Sequence, residues 1–259
     1  MLNVDLAAMR RLVEGLECKP LFVTVSGAHL YGFPSSDSDV DLRGCHLLPL
    51  RDVVGLDLPN QTLEHKTIDD GIEVELVSHD AGKYLNLLVR NNGYVLEQIF
   101  SPIVVTGQKF LDELRPLAQR CITRHHYHHY RGFYATQQKL IAKEEPKRAK
   151  PLLYAYRVLM TGIHLLRTGE VEANLLRLNE HFGFGFLDEL IARKVGGENI
   201  AVGGLDWPFH EARLGELEAQ LDHAFQESKL PEDRDRRPVN ELLVRLRLAM
   251  DESTEIRRK

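Results

Sequence analysis

Cysteine is scarce: the three in this chain of 259 residues, Cys18, Cys45 and Cys121, are odd in number and lack C-x-x-C spacing. That argues against a disulfide framework and a zinc ribbon, and they read as reduced thiols of a cytoplasmic protein. Long apolar runs are missing too. Met1 to Arg11 is a short amphipathic helix pattern broken by charge, not a secretory signal, and no membrane insertion is expected. Neither sign of charge dominates: 33 Lys and Arg stand against 38 Asp and Glu, a net charge of -5, which argues against a protein that coats nucleic acid nonspecifically while leaving room for a local basic surface. No internal repeat is visible. With 43% apolar and 27% charged residues the chain is an ordinary globular one, long enough for one large core or two modest ones.

What is present is concentrated between Ser26 and Arg43, SGAHLYGFPSSDSDVDLR. The β-branched run Pro20 to Val25 reads as a buried strand, and Ser26-Gly27 ends it in a turn, followed by a short helix. Backbone amides at such a turn can point at a phosphate. Pro34-Ser35-Ser36-Asp37-Ser38 is a loop by composition and delivers the chain into a second strand, Asp39-Val40-Asp41-Leu42. Alternation puts Asp39 and Asp41 on one face, with Val40 and Leu42 on the other. Like charges so close call for a cation of higher charge, and oxygen ligands favour Mg²⁺ or Mn²⁺. Two such ions clamp the attacking and leaving oxygens in phosphoryl displacement. A third carboxylate is wanted, and Ile72-Glu73-Val74-Glu75-Leu76-Val77 offers Glu73 and Glu75 on a shared face. The bland alternative is an edge strand with both glutamates in solvent. Asp69-Asp70-Gly71 before it reads as a hairpin turn.

Gly27, the loop and Asp39-x-Asp41 with a later acidic strand resemble the signature of the DNA polymerase beta nucleotidyltransferase superfamily. More narrowly, SGAHLYG with SDVDLRG, KYLNLLVRNNGYVLEQIFSP at Lys83 to Pro102, HHYRGF at His128 to Phe133 and AYRVLMTGIHLLRTGE at Ala155 to Glu170 resemble the predicted nucleotidyltransferases associated with bacterial RNA repair clusters. The likeness runs from the first strand to LPEDRDRRPVNELL. It implies an α+β fold: a polymerase-beta-like nucleotidyltransferase core over residues 1–110, a mixed sheet flanked by helices, then a helical domain over 111–259 forming one wall of the active-site cleft.

The resemblance also implies an enzyme that transfers a nucleoside monophosphate from a nucleoside triphosphate to an acceptor hydroxyl, with an RNA 3′ end as first choice. Asp39, Asp41 and, by alignment of the Lys83 block, Glu75 would hold two Mg²⁺ or Mn²⁺ ions. Ser26, Gly27, Ala28, Ser35, Ser36 and Arg43 would bind the nucleotide, with Arg131 and Arg157 as helical cations in the cleft. One departure is Ala28 where the family has serine; backbone amides, Ser26, Ser35 or Ser36 would then supply the missing contact. Two rival enzyme readings use the same site on a protein or a small-molecule hydroxyl. A third makes the chain a catalytically inactive nucleotide- or RNA-binding module.

Beyond residue 110 the β-branched runs stop. Phe110 to Arg120, Arg131 to Ala142, Pro151 to Thr168 and Asn240 to Met250 carry helical spacing, with Gly169 as a stop signal. Gly183 to Asp206 reads as a loop, and Trp207-Pro208-Phe209 as the apolar anchor of the next helix. Arg124, Arg131, Lys139, Lys143, Lys147, Arg148 and Lys150 interleave with Tyr127, Tyr130, Phe133 and Tyr134, as in single-strand binding surfaces. The competing and preferred reading is a helix with an aromatic core stripe and solvated cations. His125, His126, His128 and His129 are read as part of a helix face rather than as a zinc site.

Overall fold

Strand β1 (Pro20–Val25) forms where the β-branched run predicts it, and the computed structural model describes residues 4–145, 148–195 and 206–256. It lies antiparallel between β2 (Val40–His46) and β5 (Val104–Thr106). β2 in turn runs parallel to β4 (Ile72–Asp80), whose outer neighbour is the antiparallel β3 (Thr62–Asp69). The sheet is therefore mixed, five-stranded and ordered β3-β4-β2-β1-β5. The hairpin turn stands at Asp70 (φ 47°) and Gly71 (φ 80°), both left-handed as a tight two-residue hairpin demands.

Two units divide the chain: Met1–Ser26, Asp39–Cys121 and Asp233–Lys259 form one, and Gly27–Ser38 with Ile122–Glu232 form the other. In the sheet unit, Val23, Val25, Val40, Leu42, Val74 and Leu76 present one face to Met9 and Val13 of α1 (Leu6–Glu14). Asp5 caps that helix through the amides of Ala7 and Ala8. On the opposite face Phe22 meets the ring of Tyr84 edge-on at 5.4 Å and stacks on Phe110 at 6.0 Å. Those rings come from α4 (Ala81–Leu88) and α6 (Gln108–Gln119); α3 (Leu50–Val53) and α5 (Gly93–Ile99) complete the segment before β5.

Gly107 starts α6 at φ +81°, and a Cβ there would lie 2.2 Å from the Leu21 carbonyl and 2.5 Å from Phe22 Cα. Both neighbours are backbone and cannot yield. Gly107→Ala is expected to cost at least about 2 kcal/mol, from the left-handed conformation and the overlap together. Urea denaturation measures it; a loss under 0.5 kcal/mol would contradict this packing.

The helical unit is built from α2 (Gly27–Tyr31), α7 (His126–Lys143), α8 (Ala149–Thr168), α9 (Leu175–Phe182), α10 (Phe186–Val195) and α11 (Trp207–Glu227). α8 is apolar nearly all round and packs against α7, α9, α10 and α11, as a central helix does. Gly169 ends it in the left-handed conformation. α10 corrects the expectation of a loop through Gly183 to Asp206: Leu187, Leu190 and Ile191 bury one helical stripe. The remainder of that stretch, 196–205, lies outside the described residues. The aromatic stripe of α7 is core, as Tyr130 and Tyr134 are at most 1% exposed, so the single-strand stacking reading does not hold for them. The last helix, α12 (Arg237–Ile256), belongs to the sheet unit. Among the described residues no helix is long and apolar enough to cross a membrane.

Candidate active site

The carboxylates reach one sheet face because of strand register. Asp41 on β2 stands opposite Glu75 on the parallel β4, one residue after the Val40 and Val74 pair. β4 is an inner strand, not the edge that the bland reading of its glutamates required. Glu73 lies two residues toward the hairpin tip, exposed, opposite Ile68 of β3. Asp39 is half-buried just ahead of β2, and the Asp41 carbonyl accepts from the Ser26 amide at 2.8 Å, tying the end of β1 to the acidic strand.

Two side-chain cations serve these acids. Arg43 Nη2 donates to Asp41 Oδ1 at 2.7 Å and to Glu75 Oε2 at 3.3 Å, and Lys66 Nζ on β3 donates to Glu75 Oε1 at 2.8 Å. Burial lifts the Asp41 carboxyl above its ordinary range; Asp39 and Glu75 push the same way, and Arg43 only partly offsets them. Glu75 moves down, chiefly through the Lys66 hydrogen bond with help from Arg43, against a smaller desolvation effect. Asp41 thus feels both other carboxylates, the condition under which a metal cation stabilises such a set.

The donor set is the right chemistry for Mg²⁺ or Mn²⁺: oxygen only, acidic, on adjoining strands. Among the described residues, however, no three His, Cys, Asp or Glu side chains already converge as a formed cluster. The guanidinium of Arg43 lies between Asp41 and Glu75 instead. A metal binding there competes with an internal cation.

The remaining expected residues belong to the helical unit. Gly27 opens α2 at φ +60° and Ala28 is buried. Ser35 is buried too, its hydroxyl 2.9 Å from Ser38 Oγ, and both hydroxyls accept from Lys194 Nζ at 2.8 Å. Ser36 is exposed. Arg131 pairs with Glu218 and stands 3.7 Å from Asp222. Arg157 is fully buried with its guanidinium 3.7 Å over the Tyr31 ring.

Sequence reasoning missed Lys66 and Lys194. Lys66 was legible: the Asp70-Gly71 turn fixes the β3 and β4 pairing, which sets Lys66 opposite Glu75. Lys194 carries no signal, because its partners lie 156 and 159 residues away.

The mixed sheet thus presents Asp-x-Asp beside a glutamate from the adjoining strand. Residues 1–245 match the model of RlaP, the RNA repair pathway DNA polymerase beta family, and the chain belongs to that family. It is also 35% identical over 156 residues to the uncharacterized protein MJ0002 of Methanocaldococcus jannaschii, an alignment covering 60% of this chain and 63% of that protein. The chain therefore spans less than two thirds of that curated relative. Among solved structures, a nucleotidyltransferase-like protein from Exiguobacterium sibiricum aligns over 85% of this chain and 72% of its own at 12% identity. Its TM-score of 0.31 is too low to carry any argument.

Proposed function

We propose that the protein is a cytoplasmic Mg²⁺- or Mn²⁺-dependent nucleotidyltransferase that moves a nucleoside monophosphate from a nucleoside triphosphate to the 3′ hydroxyl of RNA. The observation that carries this reading is the in-register placement of Asp41 and Glu75 on parallel strands, with Asp39 ahead of them, in a chain of the RNA repair family. The acceptor hydroxyl gives up its proton to solvent as its oxygen bonds to the α-phosphorus, the bond to the bridging oxygen breaks, and pyrophosphate leaves. Asp39, Asp41 and Glu75 would hold two ions, which supply Lewis-acid polarisation of the phosphoryl oxygens when bound. Glu75, kept ionised by Lys66, would orient the attacking hydroxyl. Arg43, already within hydrogen-bond reach of Asp41, would turn toward the donor phosphates on metal binding, and the amides at Gly27 and Ala28 would cradle them. Arg131 and Arg157 would serve that charge only by leaving the contacts they make now.

A second reading is favoured by a specific observation. Ala28 lacks the hydroxyl of the family motif, and Arg43 with Lys66 already balance Asp41 and Glu75, as suits an inactive nucleotide-binding module. Incubation with each of four α-labelled nucleoside triphosphates, Mg²⁺ or Mn²⁺ and a pool of short RNA and DNA separates the two. Label on RNA that vanishes in the Asp39→Ala/Asp41→Ala variant is the expected result. Label on polypeptide or on a small acceptor would replace the RNA assignment. Nucleotide binding without pyrophosphate release would leave the module.

A further inference from the structure

β3 is the edge of the sheet, and among the described residues nothing pairs with its outer side. Natural edge strands are blunted by proline, bulges, short length or outward lysines. This one has eight residues, contains neither proline nor glycine, and keeps unbroken register with β4 over its whole length. Its one lysine, Lys66, is drawn sideways onto Glu75. Leu63 and Ile68 on the strand are 39% and 74% exposed, and Leu56 and Leu58 just before it are exposed as well. Such an edge is a template for strand addition, in which main-chain hydrogen bonds supply affinity.

We propose that this edge pairs with β3 of a second copy of the chain, antiparallel across a two-fold axis, joining two five-stranded sheets into one. The strand's own charges select that occupant. A continuous sheet requires facing residues to share a face, so the centre of symmetry falls on a single residue. Centred on His65, the pairing sets Glu64 opposite Lys66 of the second copy and Lys66 opposite Glu64, and Lys66, 61% exposed beside Glu75, then bridges Glu75 of its own chain and Glu64 of the second copy. It also sets Ile68 against Thr62 and Leu63 against Thr67. Centring on Glu64 or on Lys66 instead places like charges face to face, which is destabilising. The strand is self-complementary in one register alone among these three.

Sedimentation equilibrium and symmetric disulfide trapping test this on the full chain. The wild-type protein is expected to dimerise, and Lys66→Glu or Glu64→Lys alone to weaken the dimer at least tenfold. Glu64→Lys/Lys66→Glu together should restore it. Circular dichroism establishes that each variant is folded. Register is read independently by cysteine substitution, since directly opposed residues lie about 4.5–5.5 Å apart at Cα, within disulfide range. His65→Cys should cross-link under mild oxidation, whereas Glu64→Cys, Lys66→Cys and the wild type with its own three cysteines should not. A monomer at 100 μM, a dimer indifferent to the charge swap, or cross-linking at 64 or 66 in place of 65 would each overturn the proposal.

Discussion

Asp41→Asn is expected to lower nucleotidyl transfer by on the order of 10³-fold while leaving the fold in place. The side chain keeps its shape and an oxygen for Arg43, which now donates to it at 2.7 Å. What it loses is the charge that the other two carboxylates and a metal would act on. Lewis-acid stabilisation of a phosphoryl transition state is worth several kcal/mol, and about 4 kcal/mol corresponds to that factor in rate. Single-turnover transfer with labelled nucleotide measures it, with circular dichroism as the check on folding. Glu73→Gln serves as the contrast: Glu73 is exposed, pairs with Ile68 of β3, and is not the residue opposite Asp41, which is Glu75, so its loss should change the rate by no more than about threefold. Transfer by Asp41→Asn within tenfold of wild type would remove the carboxylate from the mechanism.

The second large effect concerns stability. Asp80 is fully buried where β4 passes into α4, its carboxylate accepting from the amides of Leu48 and Gly82 and, at 2.6 Å, from Arg247 Nη2 of α12. Arg247 donates also to the Leu48 carbonyl at 2.6 Å and is itself 7% exposed. Burial by itself would raise the Asp80 carboxyl, but the Arg247 bond, the two amides and the Arg247 charge outweigh it and hold it below its ordinary range. Removing one partner of such a pair strands a buried charge, so Arg247→Ala is expected to cost about 3–5 kcal/mol in urea denaturation. The pH dependence follows from the direction. A depressed carboxyl contributes stability above its unfolded value near 4, and that contribution is lost as pH falls through the lower folded value. The wild type should therefore lose stability steeply below about pH 4. Asp80→Asn, with nothing to protonate, should lose less over the same interval. Equal acid slopes in the two proteins would show that Asp80 is not the group responsible.

The acidic strand was legible because everything that shapes it is local. The Asp70-Gly71 turn set the hairpin, β1 fell where its β-branched run lay, and the strand bearing Asp41 was expected from Asp39, one residue ahead of where β2 begins at Val40. The neighbour of β2 was not legible, since parallel pairing with β4 crosses the intervening α3 and β3, and only the resemblance pointed to Glu75. α10 was hidden by composition. Gly183 and Gly185 ahead of it read as loop, and the run Phe186, Leu187, Leu190, Ile191 is too short to stand out until α8 is there to bury it. The ties of Lys194 to Ser35 and Ser38, and of Arg247 to Asp80, could not be read at all. Long-range polar contacts leave no periodicity.

Synthesis on the ribosome gives the Asp80 tie a temporal meaning. The carboxylate is made 167 residues before its arginine. At about 5–20 residues per second, that is a wait of roughly 8–33 s, and once β5 has been made the five strands stand without their closing charge. The helical unit, whose segments end at Glu232, can finish first. The sheet that bears the acidic residues is begun with β1 and sealed only after residue 247 has emerged.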